Sequence, residues 1–280
     1  MWVGLQYYYE KIYNQYTHFN HIYFKRYFRN NHHYETIITM KQSSESGNRK
    51  FYNSKTASLA ERYESADVSD LHERLAGCLQ RYCPANRFHP AIKFHPVMEF
   101  CPENRCLKAG PKVLELGCGS GRDASFMLSL GYDVLATDAC KEMVRHAVVL
   151  HPELSERTMV LDLNNPLPMG NQSVDCAVSI AMLMHLEKSR LESAIAEISR
   201  VLKDDGLFIC SVCVKRDDID SHGFTADGRY FNIMTASEWM NLMKASRMRI
   251  IEFSQQGDGL NRPGINWLNV IALKNGPIFW

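Results

Sequence analysis

The chain has 280 residues, 45% of them hydrophobic, enough for one large domain with a sizeable core or for two small ones. Its formal net charge is +1, and no dense Lys/Arg tract follows the first fifty residues, so the basic face of a nucleic-acid binder is not expected. Nine cysteines, an odd number, without a secretory leader point to reduced thiols in a cytoplasmic protein, and no apolar run approaches the ~18 residues that span a bilayer.

Residues 1–39 are crowded with Tyr, Phe, His, Asn, Ile and Lys and show no periodicity. Those are residues that AT-rich codons encode, and an ordinary sequence begins at Met40. Residues 1–50 are therefore expected to be a disordered or non-native extension, with 51–280 as the working domain. An aromatic-basic arm that binds nucleic acid or a membrane surface is the rival reading. Ser43 to Asn48 reads as a flexible polar lead-in.

Two helices are expected between Tyr52 and Tyr82. The second carries Leu71, Leu75 and Leu79 at four-residue spacing, with Ser69 or Asp70 able to cap it. Residues 83–111 break the pattern with five prolines and a doubled Phe-His-Pro. Cys78, Cys83, Cys101 and Cys106, with His89 and His95 between, invite a zinc reading. The spacing is loose for structural zinc, and Cys78 and Cys83 would point to different faces of a helix. An ordinary loop insertion is expected instead, and no metal.

Val113 to Leu116 is a short buried strand with an acid at Glu115, and Gly117, Gly119 and Gly121 follow at alternate positions before a helical pattern. Glycine lets the backbone turn tightly and approach a ligand, and the next helix aims its free N–H groups at it. A dinucleotide fingerprint would need a third glycine where Arg122 stands, and a P-loop would need Gly-Lys-Ser/Thr. Tyr132 to Asp138 reads as a second strand ending in an acid, nineteen residues after Gly119. A carboxylate there can accept both hydroxyls of a ribose, or can simply cap the next helix.

Met159–Leu163 reads as a third strand, and Val174–Ile180 as a fourth, followed by Ala181-Met182-Leu183-Met184-His185-Leu186. A helix over Glu187–Lys203 turns at Asp204-Asp205-Gly206 into a fifth strand, Leu207–Val212. A polar loop (Lys215 to Tyr230), a helix (Ala236–Ser246) and two strands (Met248–Phe253, Trp267–Leu273) complete the chain. Alternating strands and helices argue for a parallel sheet wrapped on both faces.

Glu115-x-Gly117-x-Gly119-x-Gly121, Asp138, Asp162, the segment closing the fourth strand, and Glu197 to Gly206 occur in the order found in class I S-adenosylmethionine-dependent methyltransferases, and over about 52–275 the chain resembles that family. The resemblance implies an α/β, Rossmann-like sheet of seven mostly parallel strands with an antiparallel last strand, the 83–111 segment being an insertion. It implies methyl transfer from S-adenosylmethionine, leaving S-adenosylhomocysteine. Cofactor contacts are expected from Glu115, Gly117, Cys118, Gly119, Ser120 and Gly121, from Asp138, Ala139 and Met143, and from Asp162 and Leu163 at the adenine. Ile180 and Ala181 complete that set.

His185 is the candidate base, facing the methyl group from the loop after the fourth strand; bracing that loop is its alternative role. The N-terminal helices of this family fold over the cofactor, which makes Tyr52, Arg62 and Tyr63 candidates for contact. Tyr52, Tyr63, Arg229, Arg262 and Trp267, with Tyr230 beside them, are the side chains suited to recognise an acceptor. Arg122 either pairs with the cofactor carboxylate or lies on the helix surface.

No Pro-Pro-Tyr/Phe signature for base amino groups, Pro-Cys nucleophile or catechol-type metal acids occur, so a small-molecule acceptor is the expected partner. A transferase acting on RNA or protein, and a silent S-adenosylmethionine-binding regulator, are the alternatives.

Overall fold

A computed structural model describes residues 47–84, 110–259 and 262–276. Residues 1–39, and His89, His95, Cys101 and Cys106 of the insertion, lie outside the described residues. Two helices come first, α1 (Gly47–Ser65) and α2 (Ser69–Tyr82). Then follow β1 (Lys112–Leu116), α3 (Arg122–Ser129), β2 (Asp133–Asp138), α4 (Lys141–Leu150) and β3 (Thr158–Val160). The second half holds β4 (Val174–Ile180), α5 (Lys188–Val201), β5 (Leu202–Arg216), α6 (Ala236–Ala245), β6 (Met248–Gly257) and β7 (Ile265–Lys274).

The strands form one sheet in the order β3-β2-β1-β4-β5-β7-β6, with β7 antiparallel to both neighbours and the other pairings parallel. From β1 the chain steps outward through β2 to β3, then returns to the other side of β1 for β4 and β5. Right-handed crossovers in opposite directions put their helices on opposite faces. The order reverses between β1 and β4, the position at which open α/β sheets form a binding crevice at the carboxyl ends of their strands.

One face of the sheet carries Val113, Val134, Ala136, Cys176, Val178, Leu207 and Ile209 in a single core with Leu75 and Leu79 of α2 and Ala124 and Met127 of α3. Alternate positions (Leu114, Leu116, Phe208, Cys210, Val212) are also buried. Both faces of the central strands are thus covered, which is why they read as continuous apolar runs.

Five elements differ from expectation, among them β5, which spans Leu202–Arg216 and so takes in the expected Asp204-Asp205-Gly206 turn and Lys215. β3 ends at Val160; Leu161 still donates its N–H to the Asp138 carbonyl, and the chain then turns between Asp162 and Asn165, leaving Asp162 in a loop. β6 and β7 run on to Gly257 and back to Ile265, pairing through residues expected in their connecting loop. α1 begins at Gly47, inside the segment read as a polar lead-in.

That early start matters for the crevice. Phe51 and Leu59 of α1 pack on Cys140 and Met143 at the start of α4. At the other end Asn48 brackets Tyr230, its Oδ1 accepting the backbone N–H at 2.7 Å and its Nδ2 donating to the carbonyl at 3.1 Å. The same amide donates to the His185 carbonyl at 3.3 Å. α1 therefore lies across the crevice from the β2 side to the β4 side. Asn48→Ala is expected to lower the unfolding free energy by about 1–3 kcal/mol, since it leaves buried backbone groups unpaired. An unchanged urea midpoint would show that this bracket does not hold α1.

Candidate active site

The glycine loop leaves β1 at Gly117, whose N–H donates to the Thr137 carbonyl at 2.7 Å, as does that of Cys118 at 2.8 Å. Gly117 has a φ of +81°, and a Cβ there would stand 2.3 Å from Cγ of Met182. The loop and the segment after β4 therefore touch only because this side chain is absent. Gly119 has a φ of +54° and lies under the Tyr63 ring. Ser120 is buried, and Gly121 leads directly into α3.

Asp138 closes β2 and ties itself to the loop. Its Oδ2 accepts the Gly119 N–H at 3.1 Å and its Oδ1 the Cys140 N–H at 2.8 Å. Burial raises its pKa against those hydrogen bonds. Ala139 follows it, and Met143 is buried on the first turn of α4.

Glu115 is 2% exposed, and its Oε2 has no hydrogen-bond partner among the described residues. Burial, then the charges of Asp123 and Asp138, push its carboxyl well above the ordinary range. A buried acceptor without a donor is costly unless something else supplies one. Beside the glycine loop, a ligand with a cationic or N–H-bearing group would satisfy it. The loop, Asp138 and Glu115 thus fit a cofactor that carries both a ribose and a positive charge.

Asp162 sits in the loop after β3. Its Oδ1 accepts the backbone N–H of Asn164 at 3.0 Å and the side-chain amide at 2.8 Å, while its Oδ2 pairs with Arg49 of α1. Leu163 beside it is buried. Ile180 ends β4, and Ala181 follows with a φ of +56°, its N–H bound to the Ser211 carbonyl at 2.9 Å. A non-glycine residue in this region costs about 1–3 kcal/mol, and the strain lies where the crevice opens.

His185 ends a short 3-10 turn, Leu183–His185. Its Nδ1 lies 2.8 Å from the Tyr230 carbonyl, which can only accept, so Nδ1 carries the proton. Nε2 is left to accept from the Tyr52 hydroxyl at 3.1 Å. Burial lowers the histidine pKa from 6.5 to about 4, the bond to Tyr230 opposing and Arg229 and Arg216 adding to the fall. Burial, with Tyr63 beside it, raises the Tyr52 pKa far above its ordinary value. The pair is neutral at physiological pH.

The sign of the pH effect follows. Unfolded, His185 takes a proton below about pH 6.5; folded, it refuses one until about pH 4, so stability falls as pH drops through that window. The loss reaches about 3 kcal/mol at most. Urea midpoints at pH 7 and pH 5 should separate more in the native chain than in His185→Gln, which cannot titrate. Equal separations would contradict a buried neutral His185.

The other acceptor candidates divide. Tyr52, Tyr63 and Arg229 stand together, with Tyr52 within electrostatic range of both Arg229 and Asp138. Arg262 and Trp267 meet elsewhere, at the β6–β7 connection. Arg262 donates Nε and Nη2 to Asp258 at 2.8 and 2.7 Å, and Trp267 donates Nε1 to the same carboxylate at 2.9 Å. Arg122 does not lie free on its helix, since it holds the Tyr63 carbonyl and Asp123, tying α1 to α3. Arg62 lies 5.8 Å from the centroid of the Tyr63 ring. Asn48, Arg49, Met182, Arg216 and Phe231 also build this region and carry no local sequence signal.

Residues 114–210 match the methyltransferase domain family. An uncharacterised methyltransferase of Synechocystis, sll0829, is 31% identical over 106 residues, 38% of this chain and 49% of that protein. The Bacillus subtilis methyltransferase YodH is 29% identical over 153 residues, 49% of this chain and 61% of that one. The matched stretches thus cover only about half to three-fifths of these relatives.

Among solved structures, the 1,6-didemethyltoxoflavin-N1-methyltransferase of Burkholderia thailandensis, with 1,6-didemethyltoxoflavin and S-adenosylhomocysteine bound, superposes with a TM-score of 0.55. That alignment has 19% identity and covers 85% of this chain and 94% of that one. The PH0226 protein of Pyrococcus horikoshii gives a TM-score of 0.52 at 18% identity, over 77% and 99% of the two chains. Strand order, glycine loop and these matches agree: residues 114–210 match a methyltransferase domain, and the fold is the one shared by class I S-adenosylmethionine-dependent methyltransferases. Among the described residues no helix is long and apolar enough to cross a membrane.

Proposed function

We propose that this chain transfers a methyl group from S-adenosylmethionine to a small-molecule acceptor. The observation that supports the reading is the buried Glu115 carboxyl, whose Oε2 has no hydrogen-bond partner among the described residues, beside the glycine loop and Asp138 at the point where the strand order reverses. When bound, the cofactor supplies a methyl group on a sulfonium sulfur that leaves with its bonding pair as the acceptor's lone pair takes the carbon.

In this reading Gly117, Cys118, Gly119, Ser120 and Gly121 cradle the cofactor, with Glu115 receiving its positive or N–H-bearing end. Asp138 and Ala139 hold the ribose, Met143, Asp162 and Leu163 border the adenine, and Ile180 and Ala181 line the methyl end. Arg49 shares Asp162 with the adenine amino group. α1 excludes water by lying across the opening, and Tyr52 and Tyr63 close it from above. Much of the acceleration in such a displacement comes from alignment.

His185 orients the Tyr52 hydroxyl, and through it the acceptor. A pair held neutral on both sides is a weak base, which favours an acceptor atom whose lone pair is already free at neutral pH.

Calorimetry with S-adenosylmethionine and S-adenosylhomocysteine tests the cofactor half. Methyl-labelled cofactor, incubated with small-molecule and macromolecular fractions of an extract, tests the acceptor half. Label in the small-molecule fraction is expected. Label in RNA or protein would reassign the acceptor, and no binding by a folded chain would end the methyl-transfer reading.

A further inference from the structure

Arg216 and Arg229 flank one aromatic ring. The Arg216 guanidinium lies 4.1 Å from the Phe231 centroid, and that of Arg229 lies 5.6 Å from the same centroid and 5.4 Å from that of Phe51. The Phe231 ring is 4.6 Å from the His185 ring, which meets Tyr52 edge-on. Two cations therefore share an aromatic wall beside the loop after β4. Their side chains are only 2% and 12% exposed.

Each arginine has a carboxylate partner, but a local and outward one. Asp218 accepts Nε and Nη2 of Arg216 at 2.6 and 2.8 Å, and Asp227 accepts Nε of Arg229 at 3.1 Å and forms an ion pair with its Nη2 at 3.1 Å. Those carboxylates are 54% and 40% exposed, so water screens much of their charge. Nη1 of either arginine has no hydrogen-bond partner among the described residues.

Toward the crevice the pair meets His185, Tyr52 and Phe51, none of them negative. Asp138, the carboxylate that acts on Tyr52, is already bound to Gly119 and Cys140. Burying two like charges around one ring is costly, and the surroundings offset it poorly. Stacking on Phe231 explains why one arginine lies there and does not explain two.

We propose that the acceptor carries a carboxylate, held by the free edges of Arg216 and Arg229, with an apolar or aromatic body against Phe51 and Phe231. This rests on the methyl-transfer reading of the same crevice. The planar fork of a guanidinium matches the two oxygens of a carboxylate, and a second arginine fixes its direction. The wall of rings selects a flat or apolar body over a polar one.

The test is calorimetric titration of the full chain with benzoate and with its neutral isostere benzamide, each with and without saturating S-adenosylhomocysteine. Benzoate is expected to bind at least about tenfold more tightly, a difference of roughly 1.4 kcal/mol. Arg229→Gln should abolish the preference in a chain that still binds S-adenosylhomocysteine, and Arg229→Lys should restore only part of it. Because the preference is read first in the native chain, a variant that fails to fold does not decide the matter.

Equal affinity for the two probes, or no benzoate binding by a chain that binds S-adenosylhomocysteine, overturns the carboxylate assignment. Benzoate preference in a chain that binds neither form of the cofactor would overturn the methyl-transfer reading and leave the anion site standing.

Discussion

Asp138→Ala is expected to weaken S-adenosylhomocysteine binding on the order of 100-fold or more in calorimetry. Each hydrogen bond between a neutral hydroxyl and a carboxylate contributes about 1.5–3 kcal/mol, and a ribose offers two such hydroxyls on one edge. The substitution also releases the Gly119 and Cys140 N–H groups from the carboxylate, so the loop loses a tether as well as a ligand contact. Asp138→Asn separates the two effects. Its amide oxygen can still accept a backbone N–H, yet it cannot accept from both hydroxyls, so its affinity should fall between the two. If Asp138→Ala bound as tightly as the native chain, Asp138 would be a helix cap and the ribose would have to lie elsewhere.

The second large effect is expected at Gly117. A methyl group there would meet Met182 at 2.3 Å from Cγ and 2.5 Å from Cβ, far inside van der Waals contact. The positive φ adds roughly 1–2 kcal/mol for any residue with a Cβ. Overpacking of this kind adds about 1–3 kcal/mol. Gly117→Ala should therefore lose about 2–5 kcal/mol of stability, read by urea unfolding, and should displace the segment that carries Ala181 and Met182. Met182→Gly in the same chain removes both clashing atoms and should return the steric share while leaving the cost of φ. A double-mutant cycle with no coupling would show that the two segments do not touch.

These two positions show why the local geometry of the candidate site is legible in the sequence. Gly117 and Asp138 act through local requirements, a left-handed turn after a strand and an acid at a strand end. Such requirements leave their mark in residue type and spacing. The same holds for the sheet, whose central strands appear as apolar runs because both faces are covered, and for α2 and α5, whose buried leucines and isoleucines recur at helical spacing. The apolar, buried Leu161 and Leu163 extend the strand pattern of β3 past its end at Val160, into the turn that starts at Asp162. Burial alone does not distinguish a strand from the turn that follows it.

What residue order could not show was the choice of partners. Arg49 meets Asp162 across 113 residues, and Asn48 meets Tyr230 across 182. Arg262 and Trp267 had the right chemistry for an acceptor wall, yet Asp258, four and nine residues away, engages both. Arg216, which falls in the polar stretch expected from Lys215 to Tyr230, instead ends β5 and meets Phe231, as Arg229 does.

Turn geometry, strand and helix periodicity, and the order of the glycine and acidic positions are properties of short stretches, so the linear chain carries them whole. Pairing between distant side chains depends on which strand ends the reversal between β1 and β4 gathers, and on α1 folding back across them. Those two events assemble His185, Tyr52 and the arginines into one place. Only the packed sheet could decide them, because each contact is worth little until the others have fixed the chain around it.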